Sequence, residues 1–287
     1  MNKSIVVPKD QRCSPSYNFK DGSCIPIDLM VAMAKAYNKY NPDNKISLKS
    51  NLHTLVPHKY KAYLIKQLKK DDRLGQVCDS QRCWIKQDYI NAMQSSYREE
   101  LTRNVFRPKG PQGKFEWLGT FNVQDVMEQY EKKYPDFIFM GAVPIDFDDF
   151  PEYGIKDLDF DDLLNNKKKS KIGVVFNLDK RNESGSHWVA LYADLNKGRI
   201  YFSDSNGIKP KPRIRKFMRR IARYSKKLGK NPIVDHNKTQ HQSGGNACGI
   251  YSLNFIIKML EGGSFEDYQN NKIKDKEMNI NRDVYFT

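Results

Sequence analysis

Apolar residues recur at helical spacing through the first third of the chain. Leu29, Ala32, Met33 and Tyr37 mark one helical face, and Leu55, Tyr60, Tyr63, Leu64 and Leu68 mark a second through residues 55–70. Tyr89, Ile90, Met93 and Tyr97 repeat the pattern once more, so residues 1–104 read as an α-rich arm. The stretch Phe106-Arg107-Pro108-Lys109-Gly110-Pro111-Gln112-Gly113 holds four Gly or Pro in eight residues. It breaks regular structure there and marks a boundary, with a second domain over residues 105–287.

Beyond the break the period changes. Asn122 is placed to cap a helix from Val123 to about Lys133, with Val126, Met127 and Tyr130 on one face and Pro135 as its stop. Phe137–Met140, Ile172–Phe176, Trp188–Tyr192 and Arg199–Ser203 are short, β-branched and aromatic-rich, which predicts strands. Asp194-Leu195-Asn196-Lys197-Gly198 reads as a hairpin loop joining the last two, so residues 172–203 form the centre of a sheet. After Pro210 and Pro212, Ile214, Phe217, Met218, Ile221 and Leu228 keep helical spacing while the opposite face is Arg and Lys. A short strand at Pro232-Ile233-Val234 and a polar loop lead to a helix opened by Cys248, with Ile250, Leu253, Ile256, Ile257 and Leu260 apolar. Gly262 and Gly263 terminate it.

Composition adds limits. With 287 residues, 39% hydrophobic and 12% aromatic, the chain can bury one large core or two modest ones, which excludes wholesale disorder. No stretch approaches the roughly 18 uncharged apolar residues of a membrane span. The first ten residues lack the apolar region of a signal peptide, so an intracellular protein is expected. The five cysteines, Cys13, Cys24, Cys78, Cys83 and Cys248, are odd in number and include no Cys-x-x-Cys pair. A reducing compartment with buried thiols is expected rather than a disulfide framework or a zinc site.

Charge is uneven. Residues 209–230 carry eleven Lys or Arg and no acidic residue, leaving only +4 of the +15 net charge to the rest of the chain. That concentration suits DNA or another acidic partner. The acidic run Asp146, Asp148, Asp149, Glu152, Asp157, Asp159, Asp161 and Asp162 lacks calcium-loop spacing and reads as a solvated loop or a surface for a basic substrate. His53, His58, His236 and His241 have no partner pattern and are expected on surfaces or loops.

One constellation carries chemistry. A thiol nucleophile at neutral pH needs a neighbouring histidine or a helix N-terminus to favour its anion. Cys248 follows Gln242-Ser243-Gly244-Gly245-Asn246-Ala247 where a helix begins, so unsatisfied amides and the helix dipole face it. His187 precedes one strand and Asp204 follows the next, so an antiparallel hairpin puts both at one end. There the carboxylate can orient the imidazole as Cys248's base. Gln242 and the backbone N–H of Cys248 are candidate oxyanion donors, and Gly244 and Gly245 keep the approach to the thiol open. Asp204 also fits a turn in Asp204-Ser205-Asn206-Gly207, and Trp188 reads as packing near the imidazole. Acyl transfer of this kind needs no metal or organic cofactor.

His187-Trp188, Asp204 seventeen residues on, Gln242 six residues before Cys248, and Cys248-Gly249-Ile250-Tyr251 together resemble the ubiquitin-like-protein-specific cysteine proteases. The adenovirus-type and large-DNA-virus core proteases are relatives of that family. Trp117-Leu118 before a helix resembles a further family element, so the likeness spans roughly residues 105–262. It implies an α+β, papain-like core with a mixed sheet flanked by helices, and Trp188 and Gly245 as substrate-binding positions. Ala247 stands where cellular members commonly have Asp, and Asn206 rivals Asp204 because some viral relatives use Asn as the third residue. The arm resembles the extra N-terminal region of the viral enzymes. The resemblance thus implies an endopeptidase that cuts viral structural precursors after Gly-Gly in the virion core or viral factory. A SUMO or ubiquitin-like deconjugase and a non-catalytic nucleic-acid scaffold are the competing readings.

Overall fold

The computed structural model describes residues 12–17, 19, 21–49, 55–113 and 115–287, and His53 lies outside them. The chain divides into two compact units, residues 1–108 with 286–287, and residues 109–285.

The first unit is helical. Helices α1 (Ile27–Tyr40) and α2 (Pro57–Leu68) bury most of the apolar stripes expected of them, around Met30, Met33, Leu64 and Leu68, whereas Leu55 lies before α2 and is exposed. The third stripe is not one helix. Residues Asp88–Ala92 form a 3-10 turn, the chain extends at Met93, and a short helix Ser95–Glu100 follows. Tyr89, Ile90 and Met93 are buried nonetheless, while Tyr97 stays exposed. Irregular turns can present apolar side chains at helix-like spacing, which is why periodicity alone misleads there.

The cysteines of this unit correct the sequence reading. Cys13 is bonded to Cys24 and Cys78 to Cys83, across Cα separations of 5.2 and 5.4 Å that suit a disulfide. Cysteine usage therefore gives no support to a reducing compartment. The odd cysteine, Cys248, is the free thiol.

The second unit is built on one five-stranded mixed sheet in chain order: β1 (Phe137–Pro144), β2 (Lys171–Asn177), β3 (Trp188–Asp194), β4 (Arg199–Ser203) and β5 (Ile233–His236). The outer pairs β1–β2 and β4–β5 are parallel, and β2–β3 and β3–β4 are antiparallel. Every residue of β3 is buried, as a central strand covered on both faces requires. One face, with Ile172, Val174, Phe176, Val189 and Leu191, packs on the apolar stripe of helix α4 (Pro212–Lys227). The other receives helix α5 (Cys248–Leu260), close enough that a Cβ on Gly173 would stand 2.7 Å from the Phe137 ring and 3.3 Å from Ile256.

Helix α3 spans Thr120–Lys133 and starts earlier than expected. Asn122 is its third residue, and its side chain reaches back to accept the Gly119 N–H at 3.0 Å, so it caps the helix from inside. Among the described residues, no helix is long and apolar enough to cross a membrane.

The acidic run is largely exposed, as a solvated segment would be, but several of its members are bonded to α4. Arg213 of α4 pairs with Asp148 and Asp149, and Asp161 takes the Tyr224 hydroxyl at 2.9 Å and Lys227 at 3.0 Å. Arg220 donates to the carbonyls of Ile155 and Leu158. The apolar stripe of α4 must face the sheet, which brings its flanking cations against the loop that follows β1.

Gly173→Ala should lose about 1–3 kcal/mol of stability, because both neighbouring side chains are fully buried and cannot give way. Urea unfolding followed by tryptophan fluorescence measures this.

Candidate active site

The β3–β4 hairpin brings two of the sequence-predicted residues together. Ala190 pairs with Ser203, so His187 and Asp204 leave the same end of the hairpin. His187 Nε2 lies 2.7 Å from Asp204 Oδ1. Asp204 is buried, and His187 is only slightly exposed. Continuing the ladder would place Asn206 opposite His187, and the Asn206 amide does lie 3.4 Å from the same Nε2. A tight turn, with Gly207 N–H donating to Asp204 O at 2.8 Å, folds the carboxylate back to the shorter contact. Asn206 N–H donates to that carboxylate at 2.8 Å.

A residue that sequence reasoning passed over holds this turn. Fully buried Asn237, just past β5, accepts the Asp204 N–H and donates to the Asp204 carbonyl, both at 2.8 Å. Its side chain thus pairs with Asp204 as a strand would. Only its position beside a strand end hinted at this.

Cys248 is the first residue of α5, on the helix end where amides are unsatisfied. Ala247 makes no side-chain cap, so no carboxylate or hydroxyl competes with the thiol there. Gly249 is required by packing, since a Cβ would meet Leu118 at 2.9 Å. Burial disfavours charge on His187, but hydrogen bonds to Asp204 and Cys248 outweigh it and push its pKa up to about 9. With Nε2 on Asp204, Nδ1 is the ring nitrogen left for Cys248. The arrangement suits an imidazolium beside a thiolate, ready for nucleophilic attack and proton return.

Gln242 is anchored beside them. Ser205 Oγ donates to its Oε1 at 2.6 Å, Ser205 O accepts its backbone N–H at 2.9 Å, and its Nε2 donates to Gly244 O. An amide nitrogen has two hydrogens, so one remains for an oxyanion. Around Gly245 a Cβ would meet nothing within 4 Å among the described residues, so this side of the loop is open. Trp188 is nearly buried and its indole N–H is spent on Leu118 O at 2.8 Å. With half-exposed Trp117 it lines a groove completed by Thr120, Val143, Asn177 and Gly185.

His241 lies in a loop, as expected, but not on the surface. It is fully buried against Tyr251 and Tyr268, and its Nδ1 accepts the Ile273 N–H at 3.2 Å. Burial holds its pKa below the ordinary value. Its aromatic partners lie 10 and 27 residues away in sequence, which hid the pattern.

Comparison with known proteins gives the following similarities. Residues 149–287 match the family model described as the Ulp1 protease family, C-terminal catalytic domain. A protein of Acanthamoeba polyphaga mimivirus named as a thiol protease is 36% identical over 282 residues, covering 96% of this chain and 92% of its own. A SUMO-1 cysteine protease of African swine fever virus is 24% identical over 249 residues, covering 80% and 89% respectively. The crystal structure of an African swine fever virus protease superposes with a TM-score of 0.69 at 20% identity, over 98% of this chain and 97% of that one.

Asp204→Asn should lower the His187 pKa from about 9, because burial is then opposed by Cys248 alone. In the native protein the raised pKa contributes stability that is complete below about pH 6.5 and is lost as pH rises through about 9. Histidine ring NMR titrations of the two proteins, with thermal melts across that window, check both effects.

Proposed function

Because this chain belongs to the Ulp1 protease family and is a thiol protease, we propose that Cys248 is its nucleophile, His187 its acid and base, Asp204 the residue that orients His187, and Gln242 an oxyanion donor. The observation that carries this reading is the convergence of all four at one end of the sheet, with the thiol on a helix N-terminus. The Cys248 thiolate adds to the scissile carbonyl carbon, and the carbonyl electrons move to oxygen, toward the Gln242 amide and the Cys248 N–H. His187 then protonates the departing amine as the C–N bond breaks. Water deprotonated by His187 hydrolyses the thioester and restores the pair.

The substrate we propose is a viral structural precursor cut after Gly-Gly, in the virion core or at the site of assembly. Two features support it. The relatives named as proteases come from large DNA viruses. The groove lined by Trp117, Trp188, Val143 and Asn177 adjoins His187 through Trp188 and offers an extended substrate a place to lie. Conjugates of ubiquitin-like proteins, which deconjugating members of the family open, are the competing substrate. Cleavage of unfolded Gly-Gly peptides by the wild type, lost at least 10³-fold in Cys248→Ser, is the expected result in a fluorescence assay. Preferential cleavage of folded SUMO conjugates would reassign the protein to deconjugation.

DNA is proposed as a partner of α4 and its flanks. Lys209, Lys211, Lys216, Arg219, Arg223, Lys226 and Lys230 are exposed, and among the described residues none is paired with a carboxylate. Replacing Lys216, Arg219 and Arg223 by Ala should lower the slope of log affinity against log salt by about one per lost phosphate contact. Fluorescence anisotropy with a labelled duplex measures it, and salt-independent affinity in the wild type would end this part of the reading.

A further inference from the structure

The loop that carries Gln242 and leads into Cys248 is held from outside the four-residue site. Helix α6 (Asp275–Ile280) and the last turn, Arg282–Tyr285, follow α5 and return to that loop. Asp275 Oδ2 accepts the N–H groups of Ser243 at 3.0 Å and Gly244 at 2.6 Å. Its Oδ1 lies 3.0 Å from the Tyr251 hydroxyl, one turn into the helix that Cys248 opens. The Tyr251 hydroxyl also reaches Ile273 O at 2.8 Å, and the neighbouring Ile273 N–H donates to His241, so loop, helix and C-terminal segment form one network.

Arg282 grips the other end of the loop. Its guanidinium donates to Asn246 O at 2.9 Å, two residues before the thiol, and to Glu116 O at 2.8 Å, the residue before Trp117. Its Nε donates to Asn279 at 2.7 Å. The side chain is almost fully buried, and among the described residues no carboxylate pairs with it. Burying a guanidinium without a counter-charge is costly unless another anion repays it. Carbonyl dipoles supply part of that compensation, and the Asn246 carbonyl that Arg282 holds lies two residues before Cys248, at the start of the helix the thiol opens.

We propose that Asp275 and Arg282 are positioning residues of the active site: Asp275 sets the turn at Ser243 and Gly244 that aims Gln242, and Arg282 ties the loop to the Trp117 wall and stabilises the Cys248 thiolate from behind. This rests on the assignment of Cys248 and His187 made above. It divides the labour between the two residues. Asp275 acts on acyl transfer through the oxyanion donors, whereas Arg282 acts on formation of the nucleophile.

The test uses the full chain, with iodoacetamide as a probe of the thiolate and a fluorogenic Gly-Gly peptide as a probe of acyl transfer. Asp275→Asn and Asp275→Ala should lower kcat about tenfold or more with KM within about twofold, while the pH dependence of Cys248 alkylation stays as in the wild type. Arg282→Gln should shift the alkylation profile to higher pH by about half a unit or more, and Arg282→Lys, which keeps the charge, should restore much of it. Thermal melts confirm that each compared variant is folded. Wild-type kcat in folded Asp275 variants, or an unshifted alkylation profile in folded Arg282→Gln, overturns the corresponding half. Cys248→Ser, run alongside, separates the two readings. If wild-type alkylation and cleavage do not depend on Cys248, the site assignment fails and the clamp with it. If they do, and the variants match the wild type, only the clamp fails.

Discussion

Antiparallel pairing of β3 with β4 is the constraint on which the rest of the catalytic unit depends. It places His187 before one strand and Asp204 after the other, so two residues seventeen apart in sequence meet at 2.7 Å. The same two strands lie inside the sheet, flanked by β2 and β5, which keeps their shared end from fraying. Helix α5 packs across β3, and a Cβ at Gly249 would overlap Leu118, so the helix that Cys248 opens has one depth at which it fits. Geometry at the site is thus inherited from the core.

Electrostatics at the site is a contest between burial and pairing. Burial disfavours charge on His187, yet a buried carboxylate on one side and the thiol on the other reverse the outcome. That reversal requires the Asp204 carboxylate to be held rigidly. Asn237 supplies this by bonding the Asp204 backbone on both sides, and the Asn206 N–H fixes the carboxylate itself. A buried Arg282 is bound to Asn246 O in the loop before the thiol, and among the described residues no carboxylate pairs with it. The thiol therefore lies beside the imidazole at a helix end of positive sign, with the loop before it held by Arg282.

Helix α4 shows how one amphipathic segment serves two surfaces. Its apolar stripe completes the core beneath β2, β3 and β4, and this orientation leaves its cations in two groups. Arg213, Arg220 and Lys227 bond to groups within residues 148–161, while most of the remaining cations stay exposed. The acidic run is thus a partner of the helix, and the net positive field comes from fewer residues than the eleven counted along the sequence.

Much of the site was legible because its signals are local. Each strand is short, apolar and bounded by turns, the thiol sits at a helix start, and the order and spacing of His187, Asp204, Gln242 and Cys248 carry the family resemblance. Those features depend on residues within a few positions of one another, or on spacings that a hairpin preserves. What the tertiary structure decided depends on residues distant in sequence. It chose the turn that brings Asp204 closer to His187 than Asn206, clamped by Asn237 thirty-three residues later. It joined four cysteines that looked like separate thiols, broke the third helical stripe, buried His241 and brought the C-terminal segment back onto the catalytic loop. Periodicity and spacing report the local preferences of a segment, whereas these contacts exist only once the sheet has set where each segment ends.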